Sequence, residues 1–158
     1  METSAAGRAF IQGWETLRLT VYDDGSGYPT VGWGHKVGLR DRLKIGDTIT
    51  RERAEGLFAL DLVIHEDPVR ALPPNVQLEQ HEFDALVSLV WNIGERLFGM
   101  STVRKLLIAG VKSPAADAIL KFDKTSVGGG PLVTSPGLVK RRVAERRLFL
   151  TANYDWSH

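Results

Sequence analysis

The chain has 158 residues, 43% of them hydrophobic and 25% charged, a balance that fits a soluble folded domain and excludes a disordered chain. Twenty Lys and Arg against 19 Asp and Glu leave a formal charge of +1, which gives nucleic acid no general attraction. The absence of cysteine rules out disulfides, a thiol nucleophile and a cysteine-ligated zinc.

The N-terminal run METSAAGRAFIQGWE lacks the basic start and long apolar core of a signal peptide or anchor. Synthesis in a cytoplasm without stable membrane association is therefore expected. Phe10, Ile11, Trp14 and Leu17 fall at helical spacing and predict a first helix over Ser4–Leu17. Arg18 to Tyr22 then alternates with β-type residues, Asp23 to Gly27 is dense in turn formers, and Thr30 to His35 reads as the returning strand. A further short strand is expected near Thr48 and Ile49.

Thr50 is a good N-cap for a long helix carrying Ala54, Leu57, Phe58, Leu62 and Ile64. It should kink or end near Pro68 and stop at Pro73-Pro74. Phe83, Leu86, Val87, Val90 and Trp91 make the clearest helical stripe in the chain. Ser101 starts a helix ending at Gly110, and Ser113-Pro114 and Ser135-Pro136 each pair an N-cap with proline for two more. Gly128 to Pro131 is expected to be a plain loop between those last two helices.

The fold class is α+β, with one domain over 1–158. About 18–50 form a β-containing lobe, 1–17 and 70–158 a helical lobe, and 50–70 the connecting helix, with a cleft between the lobes.

Glu15, Asp24 and Thr30 are the residues with chemical promise. Glycosidic cleavage needs an acid for the leaving oxygen and a carboxylate near the developing positive charge or the attacking water. Glu15 ends an apolar helix beside Trp14, where burial would favour its protonated form. Asp24 lies in a polar, glycine-rich hairpin that would keep it ionised. Such a pair is also common in chains without catalytic function.

The stretch from Glu15 through Asp24-Gly25 and Thr30 to Gly32-Trp33-Gly34-His35 closely resembles the catalytic region of phage-type lysozymes, glycoside hydrolase family 24. That family has Glu, Asp nine positions on, Thr six further, then a Gly-x-Gly-His strand. Thr50 to Asp61 is similar to its interlobe helix, Phe83 to Gly94 to its central helix, and Ser101–Leu106 and Gly137–Arg146 to its C-terminal elements. Where related chains often carry Trp before the glycine-rich loop, Lys124-Thr125-Ser126 stands here.

The resemblance implies a lysozyme-like architecture, with a small hairpin lobe and a larger helical lobe joined by a long helix. It implies an endolysin that cuts the β-1,4 bond between N-acetylmuramic acid and N-acetylglucosamine in bacterial peptidoglycan. Glu15 would be the acid, Asp24 would stabilise the cation and direct the water, and Thr30 would hold that water. The family's inverting outcome implies carboxyl groups about 6.5–9.5 Å apart. No cofactor is implied, release would depend on a holin, and a monomer acting on the periplasmic wall of a Gram-negative host is expected.

Asp61, among apolar neighbours, needs a partner, and His35 is proposed as that partner in a structural pair. Asn92 either reaches the cleft floor or is a polar helix end. Arg141 and Arg142 either approach Glu15 or the peptide stem, or are solvated. Tyr28 and Trp33 either stack on sugars or pack the lobe. The histidines at 35, 65, 81 and 158 lack zinc spacing, and Asp23–Gly27 lacks calcium-loop ligands, so no metal site is expected. Competing readings are a lytic transglycosylase or chitinase on the same fold, an inactive peptidoglycan-binding module, and a nucleic-acid binder built on Lys140–Arg147. The intact Asp24 and Thr30 argue for hydrolysis.

Overall fold

The structure, a computed structural model, describes residues 1–25, 27–126 and 129–157. Ser26 of the expected turn, Gly128 of the expected loop and His158 lie outside the described residues.

Ser4 caps α1 (Ala5–Gly13), its hydroxyl accepting from Gly7 N at 3.0 Å. The helix docks on the central helix at Gly7, where a Cβ would stand 2.5 Å from Asp84 Cγ. It stops at Gly13, four residues short of the expected Leu17. Glycine is a weak helix former, and the β-type run after it draws the chain into β1, so Leu17 reaches the core from an extended connection.

The small sheet runs in the order β1 (Arg18–Asp23), β2 (Pro29–Gly32), β3 (His35–Lys36), all antiparallel. The single returning strand expected over Thr30–His35 is therefore two. Gly32 and Gly34 take φ of 68° and 96°, turning the chain at Trp33 so that β3 folds back with Lys36 opposite Thr30. Near Thr48 the expected strand is a single bridge to Thr20, flanked by Val21 N to Asp47 O and Ile49 N to Leu19 O, each 2.8 Å.

Thr50 caps α2 (Arg51–Arg70), which carries Pro68 inside its last turn before ending at Arg70. Val21, Val31 and Leu57 form a small core between the sheet and α2. The main core surrounds α3 (Gln80–Ile93), buried from Glu82 to Val90 and packed by α1, α2 and α7. Glu79 and Glu82 form a reciprocal capping box at its start.

Three short helices follow: α4 (Glu95–Met100), absent from the sequence reading, α5 (Thr102–Ile108), capped by Ser101, and α6 (Lys112–Ile119). The last begins one residue before the expected Ser113 cap. Pro114 is accommodated in its first turn, where no amide donor is needed, and Lys112 reaches Glu82 at 2.6 Å. The expected plain loop is flanked by a hairpin, β4 (Lys124–Ser126) and β5 (Leu132–Thr134). Ser135 then caps α7 (Pro136–Thr151), with proline in the first turn as expected. Among the described residues no helix is long and apolar enough to cross a membrane.

Candidate active site

Glu15 lies just beyond α1, where its N–H still bonds Gln12 O at 3.1 Å. Its side chain opens into a cavity of about 600 Å³ walled by Trp33, Gly34, His35 and Lys36 from the sheet side, Asp61, Ile64 and His65 from α2, and Trp91 and Asn92 from α3. The apolar burial expected of Glu15 is not what it meets. The side chain is 25% exposed, and its Oε1 accepts from Arg141 Nη1 at 2.8 Å. The helix ends before Glu15, so Trp14 packs against Phe10 while the carboxylate turns toward α7.

Neither Arg141 nor Arg142 is solvated. Arg141 Nε donates to Glu145 Oε1 at 3.1 Å and its Nη2 to Ser88 O at 3.3 Å. Arg142 donates through Nη2 to Asn92 Oδ1 at 2.9 Å and to Glu145 Oε1 at 3.3 Å, while its Nε stands 2.9 Å from Glu145 Oε2. That last approach is an ion pair without hydrogen-bond alignment. Ser88 Oγ donates to Glu145 Oε1 at 2.8 Å. Burial, foremost, and the neighbouring Arg141 push the Arg142 guanidinium below its ordinary value, against the pull of Glu145. Asn92 thus lines the cavity while bonded to this network.

Asp24 and Thr30 meet through Lys36. The Lys36 ammonium pairs with the Asp24 carboxylate and donates to Thr30 Oγ1 at 3.4 Å, and the buried Thr30 hydroxyl donates to Tyr28 O at 3.2 Å. Lys36 also lines the Glu15 cavity, so it joins the hairpin residues to the cleft. The Tyr28 side chain is not brought to Glu15. It is exposed and borders a separate hollow with Pro29, Val37 and Leu43. Trp33 is 5% exposed and packs on Phe58 at 5.5 Å between ring centroids.

His35 Nδ1 lies 2.9 Å from Asp61 Oδ2, the expected pairing, and its Nε2 lies 3.2 Å from Asp41 Oδ2, a second partner not foreseen. The Asp61 hydrogen bond, foremost, raises His35 above its ordinary value. Burial opposes it and Asp41 adds to it. For Asp41, burial works upward but is outweighed by the Gly38 N–H and His35, leaving it below the ordinary carboxylate value. His65 stacks near Trp91, with centroids 4.7 Å apart, and both were missed as cleft residues. A second cavity of about 350 Å³ shares Asn92 with the first and is walled by Phe122, Lys124, Thr125, Ser135 and Leu138. Lys124 and Thr125 of β4 therefore wall this second cavity.

The sequence model for phage lysozymes matches residues 12–145. The endolysin of Acyrthosiphon pisum secondary endosymbiont phage 1 is 40% identical over 157 residues, covering 96% of this chain and all of that one. Among solved structures, the endolysin from Escherichia coli O157:H7 phage FAHEc1 superposes with a TM-score of 0.88 at 36% identity, covering 98% of this chain and 97% of that one. A mutant of P22 lysozyme superposes with a TM-score of 0.81 at 36% identity over 96% of this chain and 99% of that one. The α+β fold is lysozyme-like.

Proposed function

This chain belongs to the phage lysozyme family and is a glycoside hydrolase, and on that premise we propose that it is a muramidase cutting the β-1,4 bond between N-acetylmuramic acid and N-acetylglucosamine. It acts as an endolysin on bacterial peptidoglycan. Glu15 protonates the bridging oxygen as the bond breaks. Asp24 stabilises the oxocarbenium charge and accepts a proton from water, and Thr30 holds that water on the opposite face of the sugar.

One observation carries this assignment: Glu15 stands in the cavity wall with Oε1 held by Arg141, leaving Oε2 for the proton, while Lys36 joins Asp24 and Thr30 to the same cavity. Asn92 and Arg141 act in orienting Glu15, and Tyr28 lies at the outer edge of the sugar track. His35 and Asp61 hold the sheet to α2. The protein works as a monomer, is made in the host cytoplasm and reaches the periplasmic wall through a holin.

Product chemistry tests the reading. Murein digested by the purified enzyme should yield muramic acid with free reducing ends, formed first as the inverted anomer by NMR. Products ending in 1,6-anhydromuramic acid would identify a transglycosylase, and cleavage of chitin but not murein a chitinase. Binding without release would leave only an inactive module.

A further inference from the structure

Glu15 meets Arg141 directly. The carboxyl that delivers a proton accepts at 2.8 Å from a guanidinium that is always charged, so the charges set behind that guanidinium bear on the proton. Those charges lie on the far side of Arg141. Its Nε bonds Glu145, whose carboxylate has no exposed surface and is absent from the cavity wall. Ser88 donates to that carboxylate from α3, and Arg142, itself without exposed surface, pairs with it from α7.

Taking a carboxylate out of water is expensive unless its charge is used. Here it is used twice, once on each arginine. We propose that Glu145 is a positioning residue that holds Arg141 from behind Glu15, and that its buried charge, set against Arg141 and Arg142, fixes the pH at which Glu15 stops acting as an acid. The inference rests on the reading of Glu15 as the general acid.

Charge counting makes it quantitative. Behind Glu15 stand two buried cations and one buried anion, a net charge of +1. Neutralising Glu145 leaves +2, neutralising Arg142 leaves zero, and neutralising both restores +1. The other charged or titratable groups that share the cavity with Glu15 are His35 and Lys36 from β3, and Asp61 and His65 from α2. From α3 come only Trp91 and Asn92. Arg18, on the segment after Glu15, lies over the Tyr22 ring. All of these stay unchanged across the series and form a common background.

The test is the pH dependence of initial rates on soluble murein fragments, well below saturation, for wild type, Glu145→Gln, Arg142→Gln and the double variant. Such rates report kcat/KM and the acid of the free enzyme. Glu145→Gln should move the alkaline limb about one pH unit down, and Arg142→Gln about one unit up. The double variant should lie with wild type whatever its maximal rate. A purely structural network would lower the rates without ordering the limbs. If Glu145→Gln does not fold, the double variant against Arg142→Gln reads the same charge step with the same sign, the limb lying about one unit lower in the double variant. Four coincident limbs, or limbs that all move one way, would overturn the proposal. An enzyme that frees no reducing ends at any pH would instead sink the muramidase reading, and this inference with it.

Discussion

Lys36 touches two of the candidate residues and shares a cavity with the third. It pairs with Asp24, bonds the Thr30 hydroxyl and lines the cavity that Glu15 enters. Its side chain is 47% exposed, so replacing it with Met should change stability by no more than about 0.5 kcal/mol. Activity should nevertheless fall roughly tenfold, as Asp24 and Thr30 lose their common partner. Steady-state kinetics with thermal unfolding separate the two effects, and an active Lys36→Met enzyme would deny Lys36 its part. Turn formers and β-type residues placed Asp24 in a turn and Thr30 on a strand, and only the family resemblance singled them out as candidates. Lys36 was not legible, because only the fold-back at Gly32–Gly34 sets it opposite Thr30.

His35 offers a second test at this scale. Its value is raised in the folded chain, so its ion pairs with Asp61 and Asp41 stabilise fully below about pH 6.5, the unfolded value, and that contribution is lost as pH rises through the raised folded value. Asp41 is lowered, so its contribution is present above about pH 3.8 and is lost as pH falls through the folded value. The Tm difference between wild type and His35→Asn should therefore be widest between those limits and shrink on the alkaline side. A difference that stays flat from pH 5 to 9 would mean the pair is not charged in the folded protein. Asp61 was readable as a charge that needed a partner. Asp41 was not, since its turn position carries no such signal.

Among the elements, the contact of α1 with α3 is the most sharply constrained. A methyl at Gly7 would enter the Asp84 carboxylate, which bonds Ser4 N, Ser4 Oγ, Gln80 and the Tyr154 hydroxyl. Burial, then the Asp84 bond, pushes that tyrosine up to about 12. Gly7→Ala should cost about 2 kcal/mol in denaturant unfolding, whereas the same change at Gly56, with open space around it, should cost little or even stabilise its helix. Equal effects at the two sites would contradict the packing described. Helices with an apolar stripe or a Ser or Thr cap were legible, as α3 shows for the stripe and α2 and α5 for the cap. The start of α7 was legible too, but its inner face was not, because Arg141, Arg142 and Glu145 occupy buried positions that an apolar stripe would fill. The 124–134 hairpin escaped because its strands are three residues each and wholly exposed.

At the scale of the molecule, we read the chain as one domain in which residues near 50–70 connect a small β lobe to a helical lobe. The two carboxylates belong to different elements, Glu15 just beyond α1 and Asp24 just beyond β1. The long helices and the first hairpin were readable from spacing, the family from the matched residues, while the split at Trp33, α4 and the β4–β5 hairpin were not. What holds Glu15 in place was not either, since Arg141 lies 126 positions from Glu15 and Glu145 lies 57 positions from Ser88, and they meet only when α3 and α7 pack.

The central claim is that murein cleavage runs through Glu15. Clearing of Gram-negative cells with permeabilised outer membranes should be followed for wild type and Glu15→Gln, with thermal unfolding of both as the control. The expected result is that wild type clears the suspension while an equally stable Glu15→Gln protein is slower by about a hundredfold or more. Equal clearing by the two would contradict it, and the proton would have to come from another residue.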